Sequence, residues 1–172
     1  MLVKVKFIEV HPDNCTGCER CAMVCSFHFE KESSVTKSRI KVLHDTDRFA
    51  WDWPLLCIQC AEAPCMESCP AGALHRAEVV GTMPTLSVVS GTVVVDTNAC
   101  TGCGNCITAC PLHALSFDAD KSVVFKCELC GGDPECVKWC DRGVLILREV
   151  DLDSPARKAF VDEGSKRLQV AG

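Results

Sequence analysis

The chain has 172 residues, 16 of which are cysteine, and a formal net charge of −5. It carries no run of lysine and arginine and no basic stripe, which argues against nucleic acid as a partner. With seven Phe, three Trp and no Tyr, a conventional apolar core would be thin. We therefore expect folding to depend on metal clusters held by the cysteines.

The ends and the apolar stretches of the chain predict a soluble, cytoplasmic protein. Residues 1–6 lack the charged start, apolar run and cleavage site of a signal peptide. No stretch reaches the roughly 18 apolar residues of a membrane span. The longest candidate, Val79–Val95, is interrupted by Gly81, Pro84 and Gly91 and is typical of short strands joined by turns. Export together with a signal-bearing partner stays open as an alternative.

In chain order, the sequence predicts short strands and short helices around the cysteines. Partial alternation of polar and apolar residues predicts strands at Val3–Val10, Arg39–Leu43 and Thr92–Asp96, and the short apolar run Val123–Phe125 predicts a fourth that leads into motif four. Short helices are expected near the fourth cysteine of each motif, over Ala22–Glu30, Met66–Pro70, Ile107–Ala109 and Cys136–Trp139. Turns or loop ends are predicted at Pro54, Pro64, Pro84 and Pro134.

The last segment contains no cysteine and is richer in charge. Ser154 at the N-cap and Pro155 at the first helical position predict the start of a helix. We expect Ser154–Leu168 to form a surface helix or a loosely docked tail. A solvated face is expected for its basic residues, with a docking helix as the alternative; these residues are Lys158, Lys166 and Arg167.

All 16 cysteines fall into four motifs of four. Motifs one and three share the spacing C-x2-C-x2-C-x3-C and consist of Cys15, Cys18, Cys21 and Cys25, and of Cys100, Cys103, Cys106 and Cys110. Motif two is Cys57, Cys60, Cys65 and Cys69, and motif four is Cys127, Cys130, Cys136 and Cys140. In such motifs three close cysteines wrap one [4Fe–4S] cluster, and the fourth binds a neighbouring cluster. The sequence therefore predicts four [4Fe–4S] clusters.

Motif three matches the ferredoxin pattern directly, since Pro111 follows its last cysteine. Gly102 and Gly104 suit the loop, because glycine permits positive φ and close approach of the backbone. Structural zinc is an alternative, although zinc sites usually combine two separated C-x2-C pairs or include histidine. Disulfides are a further alternative, which the compact grouping disfavours.

Motif four, within residues 126–140, resembles the last motif of the four-cluster electron-transfer subunits, the family of the dimethyl sulfoxide reductase β-subunit. These subunits accompany molybdenum and tungsten pterin oxidoreductases and carbon monoxide dehydrogenases. Residues 57–74, around motif two, are similar to the same family. The segment 36–43 favours the branch that serves tungsten aldehyde oxidoreductases and benzoyl-CoA reductases. The resemblance covers roughly residues 1–150.

The resemblance implies an α+β fold of two bacterial ferredoxin-like modules related by pseudo-twofold symmetry, with short strands, short helices and many loops. Residues 1–46 and 118–150 would form an outer module around motifs one and four. Residues 47–117 would form an inner module around motifs two and three. Residues 151–172 would form a C-terminal tail or helix.

The resemblance also implies that each cluster takes its fourth ligand from a distant motif. The implied ligand groups are Cys15, Cys18, Cys21 and Cys140; Cys25, Cys127, Cys130 and Cys136; Cys57, Cys60, Cys65 and Cys110; and Cys69, Cys100, Cys103 and Cys106. Spacing alone leaves the pairing open, because motifs three and four are closest in sequence.

The chain departs from the family pattern after two of its fourth cysteines. Pro70 and Pro111 follow the last cysteines of motifs two and three, but Ser26 and Asp141 stand at the equivalent places of motifs one and four. A residue other than proline keeps its backbone donor and a less fixed turn. We expect the outer pair of clusters to differ in reduction potential from the inner pair.

The remaining candidate residues have ordinary interpretations. The histidines lack paired ligand spacing and are expected to be structural or solvated; they are His11, His28, His44, His75 and His113. Trp51 and Trp53 are expected to pack in the core, and Trp139 to shield a cluster from water. Glu19, Arg20 and Glu62 are expected to be solvated loop charges.

The sequence contains no dinucleotide fingerprint, no P-loop and no nucleophile–base pair. We expect a non-catalytic subunit that relays single electrons between a tungsten- or molybdenum-pterin catalytic subunit and a second redox partner, a flavoprotein or a ferredoxin. The alternatives are a free-standing polyferredoxin and a structural zinc protein. Self-association into a longer row of clusters is a further possibility.

Overall fold

A computed structural model describes residues 4–45, 51–80, 88–151 and 153–171. Within these ranges the chain is a small mixed fold of short strands and helices. The strands are β1 (Lys4–Val10), β2 (Ile40–Asp45), β3 (Trp51–Leu56), β4 (Leu74–Val80), β5 (Val88–Val95), β6 (Leu115–Asp118), β7 (Val123–Lys126) and β8 (Leu145–Asp151). The helices are α1 (Arg20–Glu30), α2 (Pro64–Glu67), α3 (Asn105–Ala109), α4 (Glu135–Lys138) and α5 (Pro155–Ala171), and 3-10 turns occupy Pro12–Asn14 and Leu129–Gly132.

The described strands form antiparallel pairs, β2 with β3, β4 with β5, β6 with β7, and β1 with β8. Each cysteine motif has one strand before it and one after it, and the strand after a motif pairs with the strand before the next. The β1–β8 pair runs in register from Lys4 opposite Asp151 to Val10 opposite Leu145. This pair brings motif four back beside motif one.

The core is continuous but shallow, and cysteine side chains fill part of it. On β1 four residues are buried, Val5 and Phe7 on one face of the strand and Ile8 and Val10 on the other. Several thiols lie in the same buried set; they belong to Cys25, Cys57, Cys65, Cys106, Cys110, Cys127 and Cys136. A two-stranded sheet is only marginally stable by itself, so the sheets depend on packing against one another. The buried thiols are part of that packing.

The four predicted strands are present as β1, β2, β5 and β7, with ends that shift by a few residues. Val3 and Pro84 lie outside the described residues. The interpretation of Pro54 as a turn residue is wrong, because it lies inside β3 opposite Val42 and is buried. Proline lacks the N–H that a central strand needs, and β3 tolerates it because this strand pairs with β2 alone among the described strands.

The helices of the motifs begin earlier than predicted. Helices α1 to α4 each contain the third cysteine of a motif, and α2, α3 and α4 end before the fourth. The residue before α1, α2 and α3 is left-handed, with φ of 54° at Glu19, 42° at Ala63 and 77° at Gly104. In all three motifs the left-handed residue lies two positions before the third cysteine, and the helix begins one position before that cysteine.

The C-terminal helix starts as predicted, with the Ser154 carbonyl accepting from the Arg157 N–H at 3.1 Å. The prediction of a loosely docked tail is wrong. The Phe160 ring lies 5.7 Å from the Trp53 ring, and the Ser165 hydroxyl donates to the Pro111 carbonyl at 3.1 Å. Arg157 is 2% exposed. Residues 155–171 therefore form the surface helix that is one of the two predicted alternatives, and this helix is docked on the body of the protein. Lys158 and Lys166 are exposed, as expected of a solvated face. None of the described helices is long and apolar enough to cross a membrane.

Gly164→Leu is expected to displace α5 from the body of the protein. A Cβ at Gly164 would lie 2.6 Å from Leu112 Cδ2, and the Leu112 side chain is buried in the core. We expect a loss of about 1–3 kcal/mol from this overpacking. The measurement is the denaturant midpoint under anoxia. Ala159→Leu, at an exposed position of α5, is the matched control and should change stability by less than about 0.5 kcal/mol. Equal midpoints for both variants would contradict the docking.

Candidate iron–sulfur centres

The fold gathers the 16 cysteines, all of them free thiols, into four sets that mix the motifs. Each set is defined by the thiols that act as electrostatic neighbours of one another. Set one is Cys15, Cys18, Cys21 and Cys140; set two is Cys25, Cys127, Cys130 and Cys136; set three is Cys57, Cys60, Cys65 and Cys110; set four is Cys69, Cys100, Cys103 and Cys106.

Set one surrounds a cavity between α1 and the turn after α4. Burial raises the pKa of the Cys21 thiol to about 12, and Cys15, Cys140 and Cys18 raise it as neighbouring thiols. The cavity has a volume of about 150 Å³ and is lined by all four thiols of the set. Leu145, the first residue of β8, closes its inner side. The four thiols thus face one shared space.

Set two lies deeper in the protein. Burial raises the pKa of the Cys136 thiol well above its usual value, and Cys127, Cys25 and Cys130 act in the same direction. Burial also raises the pKa of Cys130 to about 11. Motif one contributes a single thiol to this set, that of Cys25, and the helix that carries it, α1, packs against α4.

Set three combines motif two with the last cysteine of motif three. Burial raises the pKa of the Cys60 thiol to about 12, and the neighbouring thiols Cys57, Cys110 and Cys65 raise it as well. Burial raises the pKa of Cys65 to about 11. Because α2 packs against α3, the end of motif three lies beside the loop of motif two.

Set four combines the remaining thiols of motifs two and three. Burial raises the pKa of Cys106, and Cys69, Cys100 and Cys103 are its thiol neighbours. Cys69 shows the opposite shift. Burial acts to raise the pKa of this thiol, but hydrogen bonds from the backbone N–H groups of residues 71–74 lower it overall. The turn after α2 is therefore arranged to stabilise a thiolate.

The four sets follow one another in a row. Thiols of adjacent sets are electrostatic neighbours in three places, at Cys21 and Cys136, Cys57 and Cys127, and Cys65 and Cys106. These pairs connect set one to two, two to three, and three to four. Cys18 in set one and Cys103 in set four are exposed. Both ends of the row therefore reach the protein surface.

Glycines shape the loops of motifs one and three as the sequence predicts for motif three. Gly102 and Gly104 have φ of 70° and 77°, and Gly17 has φ of 62°. A Cβ at Gly102 would lie 2.6 Å from the Ser122 carbonyl oxygen, and one at Gly17 would lie 2.6 Å from an Asp52 carboxylate oxygen. Positive φ and close approach together require glycine at these positions.

Backbone N–H groups point at several sulfur atoms. The N–H of Arg39 donates to Cys25 Sγ at 3.4 Å, and the N–H of Gln59 approaches Cys57 Sγ at 3.5 Å. The N–H of Ala114 approaches Cys110 Sγ at the same distance. Hydrogen bonds of this kind stabilise thiolates and influence cluster potential.

The thiol sets fit iron–sulfur clusters chemically. Buried thiols with raised pKa values stay protonated until a metal displaces the proton, and metal binding then supplies folding energy. Among the described residues, no three His, Cys, Asp or Glu side chains converge as closely as a single metal ion requires. In a [4Fe–4S] cluster each thiolate binds a different iron of the cubane, so its four ligands stand farther apart.

The positions that lack the usual proline make side-chain contacts instead. The Ser26 hydroxyl accepts from the Ser34 N–H at 2.9 Å and donates to the Met23 carbonyl at 3.0 Å. Asp141 forms an ion pair with Arg20. Arg20 is an exposed charge, as the sequence predicts, but it begins α1 instead of lying in a loop, and its ion pair joins motif one to motif four.

Two predictions about other side chains are refined by the structure. Trp53 is buried in the core as expected, whereas the side chain of Trp51 lies outside the described residues. Trp139 lines the cavity of set one but is 53% exposed, so it covers that set only partly. His44 is not simply solvated, because hydrogen bonds with Asp52 and then Glu19 raise its pKa.

Several contributors were not recognised from the sequence. Arg39 lies 3.5 Å above the Phe29 ring, pairs with Glu128 at 3.1 Å and is an electrostatic neighbour of Cys25. Arg157 of α5 is likewise an electrostatic neighbour of Cys60. The left-handed residue Glu19 could have been found by aligning motif one on motif three, which places it at Gly104.

Comparison with known proteins identifies the family. Residues 49–150 match the family described as 4Fe-4S dicluster domain, and residues 8–28 match the family described as 4Fe-4S binding domain. The chain belongs to the 4Fe-4S dicluster domain family. As a member of this family, it is an iron–sulfur protein of the ferredoxin type that functions in electron transfer.

Relatives of this protein include redox subunits. The "Aliphatic sulfonate oxidoreductase, polyferredoxin-like subunit" of Pyrococcus furiosus is 35% identical over 168 residues, which cover 96% of this chain and 90% of that protein. The "Probable anaerobic dimethyl sulfoxide reductase chain YnfG" of Escherichia coli K12 is 30% identical over 159 residues, 83% of this chain and 72% of that protein.

A solved structure shares the fold of this protein. A chain of the active site complex BamBC of benzoyl coenzyme A reductase, determined with benzoyl-CoA, aligns with a TM-score of 0.51 and 23% sequence identity. The alignment covers 99% of this chain and 92% of the other. At this identity the likeness concerns the fold alone.

Proposed function

We propose that the four thiol sets bind four [4Fe–4S] clusters, and that the protein relays single electrons along them as a non-catalytic subunit of an oxidoreductase. The observation that carries the proposal is the row of four sets of four thiols with an exposed thiol at each end. The sets coincide with the ligand groups implied by the family resemblance. With every cysteine used as a ligand, none is left to act as a nucleophile.

The proposal includes two ferredoxin-like modules. The outer module comprises residues 1–46 and 118–150, the inner module comprises residues 47–117, and residues 151–172 form the docked C-terminal segment. The β1–β8 pair and the packing of α1 against α4 support an outer module around motifs one and four. The packing of α2 against α3 supports an inner module around motifs two and three. A pseudo-twofold relation between the modules is part of the same proposal.

When bound, the clusters would supply one-electron redox chemistry. The residues of this chain would hold the clusters and control their electrostatic environment and their access to water. The cysteines hold the iron, and the N–H groups of Arg39, Gln59 and Ala114 stabilise the thiolate charge. The core strands and α5 exclude water from the middle of the row. Cys18 and Cys103 mark the two surfaces at which electrons enter and leave.

The names of the relatives support a catalytic partner. We propose that this partner is a tungsten- or molybdenum-pterin oxidoreductase subunit in the cytoplasm, and that a flavoprotein or ferredoxin meets the other end of the row. The relatives are described as subunits of a sulfonate oxidoreductase and a dimethyl sulfoxide reductase. A free polyferredoxin would use the same row of clusters without a fixed partner.

Purification from the native source under anoxia tests both parts of the proposal. We expect about 16 iron and about 16 acid-labile sulfide per chain, because each of four cubanes holds four of each. We also expect a larger catalytic protein to co-elute on gel filtration. Zinc in place of iron would contradict the cluster assignment. Full iron content in a species of only 18.7 kDa would contradict the subunit assignment and favour a free polyferredoxin.

A further inference from the structure

Lys126 is a buried cation in the middle of the row of thiol sets. It is the last residue of β7, directly before Cys127, and its side chain is 0% exposed. Its ammonium group donates to the Cys127 carbonyl oxygen at 2.9 Å and to the Val93 carbonyl oxygen. Among the described residues these uncharged oxygens are its hydrogen-bond acceptors, and no carboxylate pairs with it.

Gln59 completes a polar network around this ammonium group. Its Nε2 donates to the Cys127 carbonyl at 2.9 Å, and its Oε1 accepts from the Val93 N–H at 2.9 Å. The network of Lys126, Gln59, Val93 and Cys127, here called the Lys126 bridge, joins motif two, β5 and motif four. Gln59 is also 0% exposed, so the bridge is shut off from solvent.

The Lys126 bridge lies between sets two and three. Burial raises the pKa of the Cys127, Cys65 and Cys110 thiols, and the positive charge of Lys126 acts against that rise at each of them. Cys127 belongs to set two, whereas Cys65 and Cys110 belong to set three. One ammonium group is thus an electrostatic neighbour of both middle sets.

A buried ammonium group without a counter-charge is strongly unfavourable. Arg39, the neighbouring cation at set two, is paired with Glu128 at 3.1 Å. Lys126 instead donates to carbonyl oxygens, which carry no net charge and therefore do not neutralise the ammonium group. The negative charges that can balance it are the thiolates of the two middle sets, which lie on either side of the bridge.

We propose that Lys126 is the shared counter-charge of the two middle clusters and raises the reduction potential of both relative to a row without it. This inference rests on the proposed function. An electron arriving from the partner's redox centre makes a middle cluster one unit more negative, with no bond formed or broken. A fixed positive charge in a water-free setting stabilises that reduced state. Lys126 thereby keeps the reduction potentials of the two middle clusters high enough for electrons to pass through them between the two ends of the row.

The test is an EPR-monitored redox titration of the complete protein under anoxia, with two variants and one matched control. Lys126→Met removes the charge, and Gln59→Glu places a carboxylate beside it with little change of volume. Both should lower the midpoint potentials of two of the four clusters. Lys121→Met makes the same substitution at an exposed, ion-paired lysine in the turn between β6 and β7. It should leave all four potentials unchanged.

The shifted signals should be those altered by Cys130→Ser and by Cys60→Ser, which mark sets two and three. Unchanged potentials, a shift confined to one cluster, or an equal shift of all four would overturn the inference. If Lys126→Met does not assemble its clusters, Lys126→Gln, which also removes the charge but can still donate to a carbonyl oxygen, decides the question. Wild-type protein without about 16 iron would instead refute the proposed function, so the two failures are distinguishable.

Discussion

Removing the iron with a chelator under anoxic, reducing conditions is expected to unfold the chain. The protein has few other sources of cohesion, because its described strands form isolated antiparallel pairs and seven buried thiols stand in the core. A structural metal site contributes roughly 10 kcal/mol or more to folding. A whole domain is stable by only about 5–15 kcal/mol. The loss of the four proposed clusters would therefore exceed the stability that the remaining packing can supply.

Circular dichroism and a thermal scan of the iron-free protein measure this effect. We expect loss of most strand and helix signal and no cooperative transition. Reconstitution with ferrous iron and sulfide should restore both, which controls for damage during chelation. A cooperative transition with native secondary structure in the absence of iron would show that the apolar core, including Ile8, Leu56 and Leu129, folds by itself.

The sequence was informative wherever a local requirement selects the residue. The glycines of motif three were expected at positive φ, and Gly102 meets this because the Ser122 carbonyl leaves no space for a Cβ. The short apolar run over 123–125 correctly predicted β7. Pro155 correctly marked the start of α5, because proline fits the first turn of a helix.

The parts that the sequence did not predict depend on contacts between distant segments. Nothing local to Pro54 indicates that β3 pairs on one side only. The docking of α5 depends on a small residue, Gly164, meeting Leu112 more than 50 positions earlier. Lys126 resembles any lysine in a strand until the fold surrounds it with Gln59 and the carbonyl of Val93. Single-sequence patterns do not contain these pairings.

The grouping of thiols is the feature for which distant contacts matter most, and Cys140→Ser tests it. In set one this cysteine comes from motif four, and the other three come from motif one. Serine is a poor ligand for cluster iron, so we expect one cluster to change its EPR signal or to be lost, with a fall of about 4 in about 16 iron. The signal altered should be the same one that Cys18→Ser alters.

Cys110→Ser is the matched control, since Cys110 is the equivalent fourth cysteine of motif three and lies in set three. It should alter the signal that Cys60→Ser alters and leave the Cys18 signal unchanged. Each cysteine variant thus identifies its set without a separate assignment of the spectra. If Cys140→Ser instead altered the signal of Cys60, motifs two and four would share a cluster, and the row of sets would be wrong. We expect Cys140 to share a cluster with motif one because the β1–β8 pair holds the end of motif four beside the start of motif one.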